Sequence, residues 1–289
     1  MSSGPVTRES PRPAEAASDP VQDLEIRLLL QAVYERYGYD FRDYALHSQR
    51  RRVRQCLLDE GLPTVSALQD RVLHDPTSVE RLVAALSVCV TGLFRHPGFY
   101  RAFRQRAAPI LRTYPVVRVW HAGCATGEEV YSLAILLREE GLYERSQIYA
   151  TDMNAAALRQ AAAGTVAVST LREAASCYML AGGRLRLADY YALEGARASF
   201  DPALRTNVVF AEHNLVTDRS FNEFNVVICR NVLFYFNRPL QERVHALLYG
   251  SLARRGFLGL GHRETLRFTP CEDRYEVVDG ADRLYRKIA

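Results

Sequence analysis

The sequence contains no C-x-x-C pair, although it has six cysteines. Closely spaced cysteine pairs are the usual mark of zinc sites and redox motifs, so neither is expected here. No apolar run approaches the ~20 residues that a membrane-spanning helix needs. The N-terminus also lacks the apolar core of a signal peptide. We therefore expect a cytoplasmic protein with reduced thiols, no bound metal ion and no membrane insertion.

The sequence also has little excess charge of either sign. Its net charge of +4 is small for a protein that follows nucleic-acid phosphates. The positive charge is instead local, because residues 36–54 contain Arg36, Arg42, Arg50, Arg51, Arg52 and Arg54. Such a cluster is either a solvated helix face or a docking surface for an acidic partner.

The first part of the chain predicts a leader followed by helices. Residues 1–18 are rich in Ser, Pro, Ala and Glu without periodicity, which predicts a disordered leader. Residues 19–90 repeat apolar side chains at helical spacing and predict an all-helical N-terminal domain. Its first helix should begin with Asp19 as N-cap and Pro20 at the first helical position, and should stop at Gly38.

Three further helices are predicted in this domain, over residues 48–60, 65–73 and 79–89. A capping box formed by Thr77 and Glu80 should begin the last of them. In the helix over 48–60, Val53, Cys56 and Leu57 share one face, whereas Arg51, Arg52 and Gln55 lie on the opposite one. This pattern predicts that the arginines point outward.

Strands alternate with helices from residue 116 onward. Short apolar segments predict buried parallel strands at 117–120, 148–151, 208–210, 226–229 and 257–260. Helices are expected between them, near 129–139, 155–163 and 240–252. A terminal β-hairpin is predicted from 275–278 and 283–288. The alternation predicts a doubly wound α/β domain over residues 116–289.

Two segments interrupt this simple pattern. Residues 91–115 read as a linker that joins the helical domain to the sheet and contains the cluster T-G-L-F-R-H-P. The stretch of about 165–206 alternates and turns, which predicts a small antiparallel β-subdomain inserted in the sheet domain instead of a crossover helix.

The stretch R-V-W-H-A-G-C-A-T-G-E-E, residues 118–129, predicts a strand, a tight turn and the start of a helix. Gly123 allows the backbone to approach a ligand, which the first amides of the helix would face. The dinucleotide fingerprint G-x-G-x-x-G is absent, since the other glycines it needs are missing. Glu128 and Glu129 would repel a pyrophosphate, so the ligand should carry positive charge or hydroxyl groups. S-adenosylmethionine, with its sulfonium, ammonium and ribose, meets that requirement.

Polar side chains follow three of the predicted strands. Asp152 ends the strand over 148–151, where doubly wound sheets bring an acid to ribose hydroxyls. The alternative is that Asp152 caps the following helix. Asn214, and Arg230 with Asn231, follow the next two strands. The two asparagines could bracket an adenine or could simply satisfy structural contacts.

Several motifs together resemble those of CheR-type protein-glutamate O-methyltransferases, the S-adenosylmethionine-dependent enzymes of bacterial chemotaxis. They are V-W-H-A-G-C-A-T-G-E-E-V-Y-S-L-A, A-T-D-M-N-A-A-A-L, H-N-L and C-R-N-V-L-F-Y-F, in the family's order. G-H-R-E stands where that family usually has G-H-S-E. The similarity covers residues 21–288. It implies a Rossmann-like seven-stranded methyltransferase sheet, a small all-helical N-terminal domain and an inserted small antiparallel β-subdomain.

The resemblance implies a site for S-adenosylmethionine, with S-adenosylhomocysteine as product. The expected cofactor-binding residues are the turn glycine Gly123 and those that the resemblance implies: Thr91, Arg95, Glu128, Glu129, Asp152, Asn214, Leu215, Arg230 and Asn231. Arg95 is also implied to be catalytic, together with Tyr235, which should lie near the transferring methyl group.

The implied reaction is attack of a glutamate carboxylate on that methyl group. A glutamate with an unperturbed pKa near 4.3 is ionised at neutral pH, so no general base is required. Arg95 is expected to hold the carboxylate through two N–H groups, and Tyr235 to pack near the sulfonium. The substrate would be an acidic helical region of a chemoreceptor's cytoplasmic domain. It would dock on a monomeric enzyme through Arg50, Arg51, Arg52 and Arg54.

Two other functions deserve comparison. A nucleic-acid amino-methyltransferase usually carries an N-P-P-Y or D-P-P-Y loop, whereas the corresponding loop here is R-N-V-L, so no nucleic-acid partner is expected. Departures from the family pattern at Cys89, Gly92, Leu93 and His96 motivate a second alternative. That alternative is a catalytically weak adaptor, or a module that senses S-adenosylmethionine, on the same fold.

Overall fold

The protein is described here from a computed structural model, which covers residues 19–87 and 91–288. The predicted leader, residues 1–18, and the departure at Cys89 lie outside the described residues. In the part of the chain that is described, no helix is both long and apolar enough to cross a membrane.

The N-terminal region is all helical, as predicted. Its helices are α1 (Pro20–Tyr37), α2 (Leu46–Glu60), α3 (Val65–His74) and α4 (Pro76–Leu86). They pack around a separate apolar core that includes Ile26, Val33, Val53, Leu68 and Leu82. This core explains why a unit of only four short helices can hold its shape beside the sheet.

The helix boundaries follow local capping chemistry. Asp19 caps α1 by accepting a hydrogen bond from the Val21 N–H at 3.0 Å. The predicted capping box of Thr77 and Glu80 is wrong. Asp75 is the N-cap of α4 and accepts from the Thr77 N–H at 2.9 Å. The reason is Pro76, whose fixed φ and missing N–H suit the first helical position.

The predicted linker is largely helical. Residues Pro97–Ala102 form α5 and Ala108–Leu111 form α6, with a π-helical stretch, Phe103–Ala107, between them. Phe99 and Phe103 are buried in the apolar core on one face of the sheet. This segment therefore packs as part of the sheet region.

The strands are β1 (Val117–Ala122), β2 (Ser146–Asp152), β3 (Thr165–Ala167), β4 (Tyr191–Glu194), β5 (Arg197–Phe200), β6 (Val208–Glu212), β7 (Phe224–Cys229), β8 (Leu252–Leu260), β9 (Tyr275–Asp279) and β10 (Leu284–Lys287). Seven of them form a sheet in the order β6-β2-β1-β7-β8-β10-β9. The first five are parallel, and β10 runs antiparallel to both of its neighbours. The predicted parallel sheet with a terminal hairpin is confirmed.

Both faces of this sheet are covered. The helices are α7 (Glu128–Glu139), α8 (Ala155–Ala163), α9 (Val168–Leu180) and α10 (Arg238–Ser251). Val117 and Val119 of β1 belong to one apolar core, and Trp120 and Ala122 belong to the other. A strand buried on both faces reads as a continuous apolar run, which is why β1 was visible in the sequence.

The inserted region contains the predicted antiparallel sheet, in the order β3-β5-β4. The predicted elements do not include α9, which occupies thirteen residues of this region. Leu171, Ala174 and Tyr178 recur at helical spacing and are buried. The Tyr178 ring packs edge-on against Phe94 at 5.1 Å between centroids, which attaches α9 to the sheet region.

Residues 43–45, which lie between α1 and α2 and are called the strap below, join the helical unit to the loop that follows β7. Tyr44 forms an isolated antiparallel bridge with Phe236. The Ala45 N–H donates to the Tyr235 carbonyl at 2.7 Å, and the Asn237 N–H donates to the Asp43 carbonyl at 2.8 Å. The helical unit is thereby placed against the carboxyl edge of the sheet.

Candidate functional site

A cleft opens at the carboxyl edge of the parallel strands, with the strap and the end of α4 on its other side. Most of the residues singled out in the sequence line it: Thr91, Arg95, Gly123, Glu129, Asp152, Asn214, Leu215, Arg230, Asn231 and Tyr235. Glu128 is not among the lining residues, and its carboxylate accepts from the Thr126 hydroxyl at 2.7 Å. The fold therefore brings together residues that are more than 140 positions apart in the chain.

The turn after β1 has little room for any residue larger than glycine. Gly123 has a φ of 73°, and a Cβ there would lie 2.5 Å from the Val232 Cγ2 atom. The N–H groups of Gly123 and Cys124 both donate to the Thr151 carbonyl, at 2.8 and 2.9 Å. These contacts hold the turn against the end of β2, which forms one wall of the cleft.

Asp152 is bonded to that same turn. Its Oδ2 atom accepts from the Ala125 N–H at 2.8 Å, and its Oδ1 atom accepts from the Asn154 N–H at 2.9 Å. Capping of α8 belongs to Asn154, whose side chain accepts from the first helical amides. A carboxylate can accept about four hydrogen bonds, so Asp152 retains acceptor capacity toward the cleft. Burial raises the pKa of Asp152, and the backbone N–H groups oppose that rise.

A buried ion pair forms part of the cleft wall. Glu129, at the start of α7, accepts from the guanidinium of Arg230. Arg230 also donates to the Arg95 carbonyl at 3.1 Å, and its guanidinium lies over the Phe99 ring, 4.4 Å from the centroid. Burial raises the pKa of Glu129, while Arg230 and Arg95 oppose the rise. Arg230 thus fixes the backbone of Arg95 relative to the sheet.

Several buried polar atoms of residues that line the cleft have no hydrogen-bond partner among residues 19–87 and 91–288. They are Ser87 Oγ, Thr91 Oγ1, His213 Nδ1, Arg230 Nε and Asn231 Oδ1. Buried polar atoms are normally hydrogen-bonded, so a ligand with amine and hydroxyl groups is the natural partner. Arg230 balances the charge of Glu129, but the carboxylates of Glu129 and Asp152 still offer acceptor oxygens to a ligand with an ammonium group and ribose hydroxyls.

Tyr235 is held from the helical unit. The guanidinium carbon of Arg52 lies 5.1 Å from the centre of the Tyr235 ring. Arg52 also donates to Ser48 Oγ at 3.0 Å and to the Ala85 carbonyl at 2.8 Å. Burial raises the pKa of Tyr235, although the nearby arginines oppose the rise. The phenol therefore keeps its proton at neutral pH.

The prediction that the α2 arginines all point outward is wrong for Arg52. Arg52 lies one turn from both Ser48 and Cys56, at the edge of the buried face of α2, and the loop carrying Tyr235 covers that edge. Arg50 forms an ion pair with Asp23 of α1, and Arg54 contacts the Gln22 side-chain oxygen at 3.4 Å. Arg51 is exposed. Their suggested role as a docking surface stays a prediction.

Glu264 is the main residue whose importance sequence reasoning missed. Its buried carboxylate accepts from the N–H groups of Gly261, Asn231, Val232 and Leu233, at 2.5, 3.1, 2.7 and 2.7 Å. It therefore shapes the loop after β7. The G-H-R-E motif was the available signal.

Other lining residues carried little or no sequence signal. Tyr44 is an example, because its Oη atom contacts the Met153 sulfur at 3.5 Å across 109 positions of the chain. Such a contact depends on how the helical unit packs on the sheet, which local patterns do not contain.

Two family models match the chain. The CheR methyltransferase all-alpha domain matches residues 24–87, and the CheR methyltransferase SAM binding domain matches residues 89–282. The chain belongs to the CheR methyltransferase family. The described cleft lies almost wholly within the part that matches the SAM binding domain, and Tyr44, Leu86 and Ser87 extend it into the all-alpha domain.

Relatives support the same assignment. The chain is 49% identical over 265 residues to a Pseudomonas putida protein named "Putative methyltransferase Cher3", covering 92% of this chain and 97% of that one. It is 28% identical over 236 residues to the chemotaxis protein methyltransferase Cher2 of the same organism, covering 78% and 84%. It is 29% identical over 259 residues to the chemotaxis protein methyltransferase of Klebsiella aerogenes, covering 85% and 84%. The protein is therefore a CheR-family methyltransferase with a binding domain for S-adenosylmethionine.

Proposed function

We propose that this protein transfers a methyl group from S-adenosylmethionine to the side-chain carboxylate of specific glutamates in a chemoreceptor. The products are a glutamate methyl ester and S-adenosylhomocysteine. The observation that carries the proposal is the position of Arg95. It lines the same cleft as the acids Glu129 and Asp152, which suit a cationic cofactor, and as Tyr235.

The role proposed for each residue of the cleft follows from the charges of that residue and of the cofactor. When bound, S-adenosylmethionine supplies a methyl group on a positively charged sulfur. Asp152 would accept hydrogen bonds from the ribose, and Glu129 would face positive charge. Asn231 Oδ1, which has no partner in the described part of the chain, would accept from an amine. Asn214 already uses its side-chain oxygen to accept from the Val216 N–H at 2.9 Å, and its backbone N–H donates to Asp218, so its contribution would come from its side-chain N–H groups.

Arg95 is the residue proposed to position the substrate. A guanidinium can hold a carboxylate through two parallel N–H groups, which aims one oxygen at the reacting carbon. The substrate carboxylate is ionised at neutral pH and needs no base. Tyr235 keeps its proton and would contribute packing against the sulfonium. Because the anionic carboxylate and the cationic sulfonium are neutralised together, an enclosed site favours this reaction.

Docking of the receptor is proposed to involve the face of α2 beside the cleft. Arg51 is exposed there and Arg52 is bound to Tyr235, so an acidic helix on this face would lie next to the reacting groups. Electrostatic attraction of this type increases the association rate and weakens as salt rises.

A methyl-transfer assay tests the proposal. Radiolabelled S-adenosylmethionine and candidate receptor fragments should give protein-bound label that mild base releases, because carboxyl methyl esters hydrolyse whereas N-methyl groups do not. Replacing the target glutamate by glutamine should prevent labelling. Base-stable label, or label on nucleic acid in place of receptor, would contradict the proposal.

The adaptor alternative has no support in the described structure. Gly92 and His96, two of the departures that suggested it, do not line the cleft. His96 is exposed and stacks on His262 with 5.7 Å between ring centroids. Cofactor binding without any label transfer to receptor fragments would favour the adaptor.

A further inference from the structure

A second constellation of charged groups lies away from the cleft, where the inserted region meets the end of α7. Its floor is the Glu140 carboxylate, whose side chain is only 2% exposed. Glu140 accepts from Arg104 at 2.9 Å, from Arg184 at 2.8 Å and from Arg112. None of these residues lines the cofactor cleft.

Buried carboxylates fix these arginines in place. Arg104 pairs with Glu139 as well as Glu140, and donates through Nε to the Ala181 carbonyl at 3.1 Å. Its side chain is 7% exposed, whereas those of Arg112 and Arg184 are 43% and 56% exposed. Part of the guanidinium of Arg112 and of Arg184 is thus held by hydrogen bonds, and the rest is open to solvent. A surface arginine normally loses side-chain freedom when it binds an anion, and here much of that cost has already been met.

Each of the two exposed guanidiniums has donors to spare. Arg112 donates from Nε to the Glu140 carbonyl at 3.2 Å and from Nη2 to the Glu140 carboxylate. Arg184 donates from Nη1 to the Glu139 carbonyl and from Nη2 to Glu140, both at 2.8 Å. A guanidinium has five N–H donors, so further N–H groups remain on each. Arg101, which is exposed, completes the rim of the same surface pocket.

The charges do not balance within the pocket. Four arginines line the pocket, Arg101, Arg104, Arg112 and Arg184, whereas Glu140 is the one acid in its lining. Glu139 pairs with Arg104 from outside the lining, and Asp282 lies close enough to Arg101 to interact with its charge, yet an excess of positive charge remains. A phosphoryl group carries about two negative charges and three acceptor oxygens at neutral pH, so it offers more acceptors to the free N–H groups than a carboxylate does. We propose that Arg101, Arg112 and Arg184 form a binding site for a phosphoryl anion, separate from the methyl-transfer cleft.

The site also has a structural consequence. Arg184 belongs to the inserted region, Arg101 to α5, and Arg112 follows α6. An anion held by all three would bridge the insert and the sheet region, and would stabilise the folded chain in proportion to its free concentration.

The test measures binding of inorganic pyrophosphate to the full chain. Titration calorimetry and ³¹P line broadening, both at constant ionic strength, detect the binding. The wild-type protein should bind with a stoichiometry of one, also when S-adenosylhomocysteine saturates the cleft. Arg101→Gln should weaken binding by about tenfold, the loss expected for one charge-assisted contact. Arg101 is exposed, so this variant should keep the fold.

Arg71→Gln is the matched control, because it removes one positive charge from a different arginine pair that shares Glu60. It should leave pyrophosphate binding unchanged. Arg184→Gln is a second variant expected to weaken binding. Orthophosphate and ATP, titrated in parallel, distinguish a free phosphate from a nucleotide as the source of the anion. Absence of saturable binding by the wild type, or equal weakening by Arg71→Gln and Arg101→Gln, would overturn the proposal.

Discussion

At the scale of single residues, the cleft contains two kinds of group: some act by charge and others act by shape. Asp152, Glu129 and Arg95 are charged groups whose positions are set by backbone contacts and by Arg230. Tyr235 is different, because its raised pKa keeps the phenol neutral. It would therefore contribute its ring and not an ionised oxygen.

Substituting Tyr235 tests this distinction. Tyr235→Phe keeps the ring and should retain methyl transfer within about threefold of the wild type. Tyr235→Ala removes the packing surface and should lower kcat/KM by about 100-fold, roughly 2.7 kcal/mol of transition-state stabilisation. Steady-state kinetics on a receptor fragment measure both. Equal loss in the two variants would mean that the hydroxyl, and not the ring, is what matters.

A residue outside the cleft gives a prediction about pH. His245 in α10 is 1% exposed, and burial lowers its pKa to about 4. The unfolded chain binds a proton at His245 below a pKa of about 6.5, whereas the folded chain does not until pH 4. This residue therefore makes the free energy of unfolding fall as pH drops from about 6.5 toward 4.

Comparison with His245→Leu isolates that effect. Between pH 7.5 and pH 5.5, the wild type should lose about 1.3 kcal/mol of stability relative to the variant. Denaturant unfolding at the two pH values measures the difference. A difference that does not change with pH would show that His245 is not held neutral.

At the scale of elements, the loop after β7 depends on one acid. Four backbone N–H groups converge on Glu264, and the loop presents Asn231 and Val232 to the cleft. Burial raises the pKa of Glu264, and the four donors oppose that rise. The conformation of the loop after β7 therefore depends on a side chain that follows β8.

Glu264→Gln tests this dependence. Glutamine has one acceptor oxygen, and its NH₂ group would face backbone donors. Loss of the remaining hydrogen bonds should reduce the free energy of unfolding by about 3 kcal/mol. It should also weaken S-adenosylhomocysteine binding. Thermal unfolding and calorimetry measure the two effects, and Glu276→Gln, at an exposed position of β9, is a suitable control. Unchanged affinity in Glu264→Gln would show that the loop does not need this anchor.

The elements also show what the sequence could predict. β1 and β7 are buried on both faces, so their apolar runs identified them directly. The turn at Gly123 and the acid at Asp152 follow from strand ends and φ requirements, which are local. The inward position of Arg52 and the contact between Tyr44 and Met153 depend on how the helical unit packs on the sheet. Helical spacing predicts on which side of a helix a residue lies, but it does not predict which other element packs against that side.

At the scale of the whole molecule, the helical unit and the sheet share the site. Asp43 of the strap accepts from Arg243 at 2.7 Å and from the Asn237 side chain at 3.2 Å. Its carbonyl accepts from the Asn237 N–H. These contacts place α2, and with it Arg52, beside Tyr235. Substrate recognition should therefore depend on this junction more than cofactor binding does.

Asp43→Ala tests the junction. The variant should keep S-adenosylhomocysteine affinity within about threefold, because Asp43 does not line the cleft. It should raise the KM for a receptor fragment by about tenfold, the effect of losing roughly 1.4 kcal/mol of alignment. Parallel calorimetry and kinetics separate the two quantities. A loss confined to cofactor affinity would contradict this arrangement.

The central claim is that the cleft at the carboxyl edge of the sheet binds the methyl donor through its acids. Titration calorimetry with S-adenosylhomocysteine on the wild type and Asp152→Ala tests it most directly. We expect one molecule bound per wild-type chain, and affinity lowered by about 100-fold in the variant through loss of charged hydrogen bonds. No binding by the wild type, or equal affinity in the two proteins, would contradict the account.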